Sequence, residues 1–148
     1  MVVLLFTEIG SGAIGIEAMS RGSAVTVMVE QSQVSLDCIK ENLRTTKLTE
    51  EARVLHMDVL KAISLLQKEG KPFDIIFMDP PYNQELERQA LYQLADSVLV
   101  ADDTIIVVEA SLQTDFSYLD KIGLEIIREK KYKNNQHVFI QRQMNEPA

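Results

Sequence analysis

The stretch Phe73-Asp-Ile-Ile-Phe-Met-Asp79-Pro80-Pro81-Tyr82 decides the fold of this chain. Its continuous apolar run, residues 75–78, is too short for a helix and is typical of a strand buried on both faces. The two prolines after Asp79 prevent further strand pairing and fix the direction of the backbone. An acid, two prolines and an aromatic ring are therefore predicted at the carboxyl end of a buried strand, where open α/β sheets bind ligands. The alternative is a strand followed by an ordinary rigid turn, and the occurrence of all four residues together disfavours it.

The composition is that of a globular protein. Of the 148 residues, 46% are apolar and 25% are charged, which predicts one domain over residues 1–144 and a polar tail at 145–148. No apolar run is long enough to span a membrane and no signal peptide is recognisable, so we expect a cytoplasmic protein without a membrane partner. The lone Cys38 cannot form an internal disulfide and is expected to fill the core. His56 and His137 have no Cys or His neighbours at ligand spacing, so no metal site is predicted.

The formal charge of −7 argues against a protein that coats nucleic acid, because phosphate binding requires an excess of basic residues. It leaves room for an enzyme with one local basic patch. Residues 128–133 contain four basic side chains and one acid, the basic ones being Arg128, Lys130, Lys131 and Lys133. This run is either a solvated strand edge or a patch that contacts the phosphates of a nucleic acid.

A glycine-rich segment, Gly10-Ser11-Gly12-Ala-Ile-Gly15, lies between a predicted strand at residues 1–6 and a predicted helix that ends near Gly22. This G-x-G-x-x-G spacing lets the backbone approach a ligand that faces the start of the helix. Glu30 closes a second predicted strand, residues 24–29, twenty positions after Gly10. A carboxylate there can accept hydrogen bonds from the two hydroxyls of a ribose, whereas the alternative is an acid that faces solvent.

The next helix is predicted to begin after Ser32 and to end near Thr46. Four of its residues are expected to face inward: Val34, Cys38, Ile39 and Leu43. A third strand, Ala52–His56, leads to Asp58. This residue can cap a helix over Val59–Glu69 or accept a hydrogen bond from an exocyclic amine such as adenine N6, and the two roles are compatible.

The remaining elements complete an α/β fold. A helix is predicted over residues 84–96, followed by a strand at 104–108 closed by Glu109, for which a structural role is as good as any other. Two further strands, residues 124–132 and 136–141, are joined by an asparagine-containing turn. The pattern predicts a Rossmann-like, mostly parallel seven-stranded sheet with one antiparallel strand and helices on both faces.

Four segments together resemble the bacterial RsmD family. They are Gly-Ser-Gly-Ala-Ile-Gly-Ile-Glu-Ala-Met-Ser-Arg-Gly at 10–22, Val-Glu at 29–30, Met-Asp at 57–58, and the stretch at 73–82. The resemblance covers nearly the whole chain and implies a class I S-adenosylmethionine-dependent methyltransferase that modifies the guanine N2 amine of 16S ribosomal RNA. The glycine motif alone is shared with many nucleotide-binding folds, and Asp-Pro-Pro-Tyr with many amino-group methyltransferases, so only the combination is specific.

The resemblance also implies a role for each motif residue. The methionine part of S-adenosylmethionine would lie against Gly10, Ser11 and Gly12. Its ribose would bind to Glu30, and its adenine would lie among Gln31, Asp58 and Val59. Asp79 and the Pro80 carbonyl would accept hydrogen bonds from the target amine, and Pro81 and Tyr82 would complete the catalytic motif, with the Tyr82 ring stacking on the base. The substrate would be ribosomal RNA or the small-subunit ribosomal particle, contacted by the basic run at 128–133, and no metal would be needed.

The chain departs from the family pattern in two ways. The family carries an acid four residues before the first glycine, whereas this chain has Phe6 there and its nearest acid is Glu8. We therefore expect weakened but real affinity for the cofactor. A family segment of a few dozen residues ahead of the first strand has no counterpart in the sequence, which leads us to expect impaired contact with RNA.

Three other functions fit part of the pattern. A nicotinamide-dependent oxidoreductase would use the glycines and Glu30 but would leave Asp79 and the residues after it without a role. A methyltransferase acting on DNA adenine or on a protein amide would use the same motifs. A cofactor-binding domain without catalytic activity would follow if Phe6 and the short N-terminus abolish transfer.

Overall fold

A computed structural model describes residues 2–7, 25–80 and 85–144 of the chain. Its described strands form a single sheet in the order β3-β2-β1-β4-β5-β7-β6. Their bounds are β1 (Val2–Thr7), β2 (Val25–Glu30), β3 (Ala52–His56), β4 (Phe73–Asp79), β5 (Val100–Ala110), β6 (Leu124–Lys131) and β7 (Gln136–Arg142). The predicted seven-stranded, mostly parallel sheet is confirmed.

Strand direction and order create a crevice at one edge of the sheet. Strands β1 to β5 are mutually parallel, and β7 runs antiparallel to both β5 and β6. Strand β1 lies between β2 and β4, so the order of the strands reverses direction there. Parallel sheets bind ligands outside the carboxyl ends of their strands at such a switch point. The ends concerned are Thr7, Glu30, His56 and Asp79.

Helices cover both faces of the sheet. Helix α1 (Gln33–Thr46) packs on one face, where Ile39 and Leu43 are buried against Met28. Helices α2 (Val59–Glu69) and α3 (Leu86–Ala95) pack on the opposite face in one cluster with Ile76. Each fully buried Leu or Ile contributes about 1.5–3 kcal/mol, so these contacts hold the helices in place. No described helix is long and apolar enough to cross a membrane.

Helix α1 has a different inward face from the one predicted. Val34 is 75% exposed and Cys38 is also exposed, so the expectation that both are buried was wrong. Leu36 is buried in their place, together with Ile39 and Leu43. These positions are three and four residues apart, which is the spacing of one helical face. The apolar residues Val34 and Cys38 lie outside this stripe.

Strand β5 is longer than predicted, extending from Val100 to Ala110 rather than over 104–108. Its register with β4 shifts between Phe73 and Ile75. The buried Thr104 hydroxyl bridges this irregularity, because it donates to the Phe73 carbonyl at 2.6 Å and accepts from the Ala101 N–H at 2.8 Å. A side chain thus replaces the backbone partners that a regular ladder would provide.

Candidate active site

A cavity of about 180 Å³ opens at the carboxyl edge of the sheet. It is lined by residues that follow or end four neighbouring strands and by the first turns of α3. Six residues predicted from the sequence lie in its wall: Glu30, Gln31, Asp58, Val59, Asp79 and Pro80. The fold therefore brings together side chains that are up to fifty residues apart in the sequence.

Glu30 is buried inside the protein. The alternative interpretation, an acid that faces solvent, was therefore wrong. The residue is 3% exposed, and its Oε1 accepts a hydrogen bond from the Ser32 N–H at 2.9 Å. A buried carboxylate is costly unless it is hydrogen-bonded. This bond therefore fixes the carboxylate at the turn between β2 and α1, in the wall of the cavity.

Gln31 joins two strand ends at the cavity. Its backbone carbonyl accepts a hydrogen bond from Nε2 of His56, at a distance of 3.0 Å. Since Gln31 follows β2 and His56 ends β3, this bond holds the two neighbouring carboxyl ends together. His56 therefore has a structural role beside the cavity.

Asp58 caps α2, as predicted. Its Oδ1 accepts a hydrogen bond from the Lys61 N–H at 3.0 Å, and its backbone is extended, as is usual for a capping residue. Its Oδ2 is 3.8 Å from Lys61 Nζ, and the Asp58 side chain is 33% exposed. One carboxylate oxygen thus anchors the helix while the side chain remains accessible in the cavity wall.

Asp79 ends β4 opposite Thr7 of β1, and Asp79 and Pro80 both line the cavity. Helix α3 begins soon afterwards, at Leu86. The preceding residue, Glu85, has a left-handed backbone with φ 54, a conformation that costs a non-glycine residue roughly 1–2 kcal/mol. The chain therefore turns sharply into α3, which brings the first turns of that helix to the cavity.

Phe6 stands in the cavity wall at the position where the family pattern has an acid. Its side chain is 5% exposed and belongs to the same core cluster as Val29 and Met78. Among the described residues, the wall around the Phe6 ring is consequently apolar. The expected substitute, Glu8, lies outside the described residues.

The remaining motif residues also lie outside the described part of the chain. They are Gly10, Ser11 and Gly12 of the glycine segment and Pro81 and Tyr82 of the proline motif. Their roles stay predictions.

Sequence reasoning gave no site role to several further residues of the wall, among them Met57, Leu86, Glu87 and Ala90. The only available signal was the helical spacing of Leu86 and Ala90, which marks the inward face of α3. Glu87 belongs to no motif and could be placed only by the structure.

The basic run predicted as an RNA contact lies on the edge strand β6 and the turn after it. Its four basic residues, Arg128, Lys130, Lys131 and Lys133, are all exposed. Arg128 and Lys130 pair opposite Phe139 and His137, whereas Lys131 pairs opposite Gln136.

Two of these cations lie against aromatic rings. Arg128 Cζ is 5.7 Å from the centroid of the Phe139 ring, and Lys130 Nζ is 5.6 Å from that of Tyr132. Glu109 stabilises the turn end of the same hairpin, because its Oε1 accepts from Asn135 Nδ2 at 2.7 Å and lies 3.7 Å from His137 Nε2. The structural role considered for Glu109 is thus the one observed.

A family model described as conserved hypothetical protein 95 matches residues 3–141. The chain belongs to this family. It is 35% identical over 104 residues to ribosomal RNA small subunit methyltransferase D of Escherichia coli, covering 70% of this chain and 50% of that protein. It is 32% identical over 102 residues to the protein of the same name from Haemophilus influenzae, covering 68% and 52%. The resemblance to the RsmD family is therefore confirmed.

The solved structures agree with this assignment. A conserved hypothetical protein of Streptococcus pyogenes superposes with a TM-score of 0.84 at 29% sequence identity, over 96% of this chain and 86% of that one. The class I methyltransferase fold is confirmed. The chain spans about half the length of the curated relatives it matches.

Proposed function

We propose that this chain transfers a methyl group from S-adenosylmethionine to the exocyclic N2 amine of a guanine in 16S ribosomal RNA. One observation carries the proposal: a single cavity joins Glu30 and Asp58 to Asp79 and Pro80 at four adjacent strand ends. The first pair suits a nucleoside, and the second pair suits an amine. The names of the relatives supply the class of RNA.

The chemistry of the cavity wall fits this cofactor. Glu30 offers a buried carboxylate for the ribose hydroxyls, and Asp58 offers an acceptor for the adenine amine. Met57 and Val59 add apolar surface on which a flat ring can pack. The bound cofactor would supply an electrophilic methyl group on a sulfonium.

Asp79 and Pro80 would position the target amine. An exocyclic amine is a poor nucleophile because its lone pair is delocalised into the base. The Asp79 carboxylate and the Pro80 carbonyl can each accept one of its hydrogens, which directs the lone pair toward the methyl group. Asp79 can also take up the proton that the nitrogen loses. This is catalysis by positioning and electrostatics, and Tyr82 would support the extruded base by stacking.

The hairpin of β6 and β7 is the proposed contact with ribosomal RNA or the small-subunit particle. Arg128 and Lys130 combine positive charge with neighbouring aromatic rings, a combination typical of surfaces that bind unpaired nucleic acid. Lys131 and Lys133 extend the patch. A local patch of this kind is compatible with the net charge of −7.

A methyl-transfer assay tests the proposal. The purified chain is incubated with radiolabelled S-adenosylmethionine and, separately, unmethylated small-subunit particles, naked 16S RNA and DNA, and the labelled nucleotide is then identified. We expect N2-methylguanine from an RNA substrate. Label in adenine or in protein would instead support the alternative methyltransferases.

The apolar wall at Phe6 favours a second candidate, a domain that binds the cofactor without transferring its methyl group. Calorimetric titration with S-adenosylmethionine, combined with the transfer assay, distinguishes the two functions. Binding of S-adenosylmethionine without transfer to any substrate would support the inert domain. The absence of heat at high micromolar cofactor would contradict both.

A further inference from the structure

A second cavity, of about 350 Å³, lies beside the first one. It is formed by the first turn of α3 and by the segment that follows β5, residues 111–118. Glu87 lines both cavities, so this side chain stands in the wall that separates them. The two spaces therefore adjoin on the side of the first cavity that is formed by α3.

Two flat side chains, Arg88 and Tyr118, line this outer cavity, and Tyr92 packs against both of them. Arg88 Cζ is 4.9 Å from the centroid of the Tyr118 ring and 5.7 Å from that of Tyr92. The two tyrosine rings are themselves stacked, with centroids 5.6 Å apart and planes inclined by 26°. Guanidinium planes and aromatic rings are the surfaces on which unpaired bases stack. A planar heterocycle therefore suits this wall.

Internal hydrogen bonds hold the segment after β5 that lines the outer cavity. Asp115 accepts hydrogen bonds from the Ser117 N–H at 2.9 Å and from the Ser117 hydroxyl at 3.0 Å. The hydroxyls of Ser111 and Thr114 are 2.9 Å apart, and the Ser111 carbonyl accepts from Gln136 Nε2. A pre-formed pocket loses little entropy when a ligand enters.

The charges of the outer cavity exclude a phosphate and select for hydrogen-bond donors. Among the described residues, three carboxylates line it, from Glu85, Glu87 and Asp115, against the single cation of Arg88. The hydrogen bond from the Ser117 backbone N–H, followed by the one from the Ser117 hydroxyl, lowers the pKa of Asp115. Its carboxylate is therefore charged at neutral pH. Carboxylates accept hydrogen bonds and cannot donate them. The Watson–Crick edge of guanine presents two adjacent donors, N1–H and the N2 amine, whereas adenine has an acceptor at N1.

We propose that the outer cavity receives the target guanine, that Glu87 accepts its N1–H, and that Arg88 supports its ring. This inference rests on the proposed function and adds the determinant of base specificity. A base whose N2 amine reaches Asp79 and Pro80 has its N1–H next to that amine. Glu87 is the acceptor offered to this group, because it lines both the cavity of Asp79 and the outer cavity. Neither Glu87 nor Arg88 belongs to the motifs that identify the family.

The test uses the nucleotide that the wild-type chain methylates, identified by mapping the product. A segment with guanine or 2-aminopurine at that position is ligated into 16S RNA, which is then used naked or assembled into particles. 2-Aminopurine keeps the amine but lacks N1–H. The wild-type chain should prefer guanine in kcat/KM, and Glu87→Ala should reduce transfer to guanine roughly 10- to 100-fold while changing transfer to 2-aminopurine little.

Three variants accompany this experiment. Glu87→Gln keeps an acceptor oxygen and should retain part of the preference for guanine, whereas Arg88→Ala should raise KM for both bases. Gln89→Ala, at an exposed position on the same helix, should change neither rate. Equal loss on both bases in Glu87→Ala, or a wild-type chain without preference, would overturn the role of Glu87. A wild-type chain that methylates no guanine would overturn the proposed function itself.

Discussion

Thr7 at the end of β1 pairs with Asp79 at the end of β4. The glycine segment follows Thr7 in the sequence, and the proline motif begins at Asp79. The strands that lead into the two motifs therefore end side by side on one edge of the sheet, although nearly seventy residues separate Gly10 from Asp79. Under the proposed function, this register would place a cofactor bound by the first motif next to an amine bound by the second.

Replacement of Asp79 by Asn should abolish most of the methyl transfer. The amide keeps the size of the side chain and one acceptor oxygen, but it loses the negative charge, so the hydrogen bond to the amine weakens and the side chain can no longer take up the proton that the nitrogen loses. We expect kcat to fall by about 100-fold or more, the range measured when one preorganised polar group is removed from an active site. Cofactor affinity, measured by calorimetry, should change little.

Asp74→Asn is the matched control for this variant. Asp74 belongs to the same strand but lies at its amino end and is exposed, so this substitution should leave transfer intact. Equal activity of Asp79→Asn and the wild-type chain would remove Asp79 from the mechanism.

Replacement of Glu30 by Gln should weaken cofactor binding more than it weakens folding. The amide can still accept the hydrogen bond from the Ser32 N–H, but it loses the charge that strengthens contacts with ribose hydroxyls. A charged hydrogen bond contributes about 1.5–3 kcal/mol, so we expect the Kd for S-adenosylmethionine to rise roughly 10- to 150-fold. Glu51→Gln, an exposed substitution before β3, is the control. An unchanged Kd in Glu30→Gln would show that the cofactor does not use this carboxylate.

Local signals made the carboxyl edge of the sheet predictable. The apolar run before Asp79, the acid that ends β2 and the capping role of Asp58 each depend on a few adjacent residues. The inward face of α1 was not predictable in the same way, because Val34 and Cys38 are apolar and only contact with the sheet shows that Leu36 is the buried one. The outer cavity was invisible in the sequence, since it forms only where α3 meets a segment some twenty-five residues later.

Removal of positive charge from the hairpin should reduce the salt dependence of RNA binding. Each phosphate contact of a single strand contributes about −0.7 to the slope of log K against log salt concentration. The double variant Lys130→Ala and Lys131→Ala should therefore bind more weakly and show a slope that is smaller by about one unit or more. Filter binding to naked 16S RNA measures this slope. The salt concentration is varied between roughly 50 and 200 mM, because affinity that depends on phosphate contacts falls steeply over this range.

The control for the hairpin variant removes two exposed charges elsewhere, Lys40 on α1 and Lys47 at its end. Both double variants change the net charge by the same amount. The control therefore shows how much of the change in slope comes from the net charge alone. If both double variants reduce the slope by the same amount, the hairpin is an ordinary solvated edge.

Arg142 should be a major contributor to stability although it lies far from the motifs. Its guanidinium donates to the backbone carbonyls of Ala95, Ser97 and Val100, and so fastens the end of α3 and the start of β5 to β7. Arg142→Ala should lower the free energy of unfolding by about 2–4 kcal/mol, because it leaves these partly buried acceptors without their donor. Urea denaturation measures the loss. Arg44→Ala, which removes an exposed i,i+3 ion pair, should cost well under half as much.

The ion pair between Arg53 and Glu69 should make part of the stability depend on acid pH. The guanidinium contacts both carboxylate oxygens, at 2.6 and 2.8 Å, and this joins the end of α2 to β3. The hydrogen bonds from Arg53 lower the pKa of Glu69 below its usual value near 4.5. A carboxyl group whose pKa is lower in the folded state stabilises that state above its unfolded pKa, and the contribution disappears as pH falls through the folded value. Urea denaturation should therefore show Glu69→Gln less stable than the wild-type chain at pH 7, and the difference should shrink as pH falls below about 4.5. A difference of equal size at pH 7 and pH 3 would mean that the variant acts through packing and not through the charge.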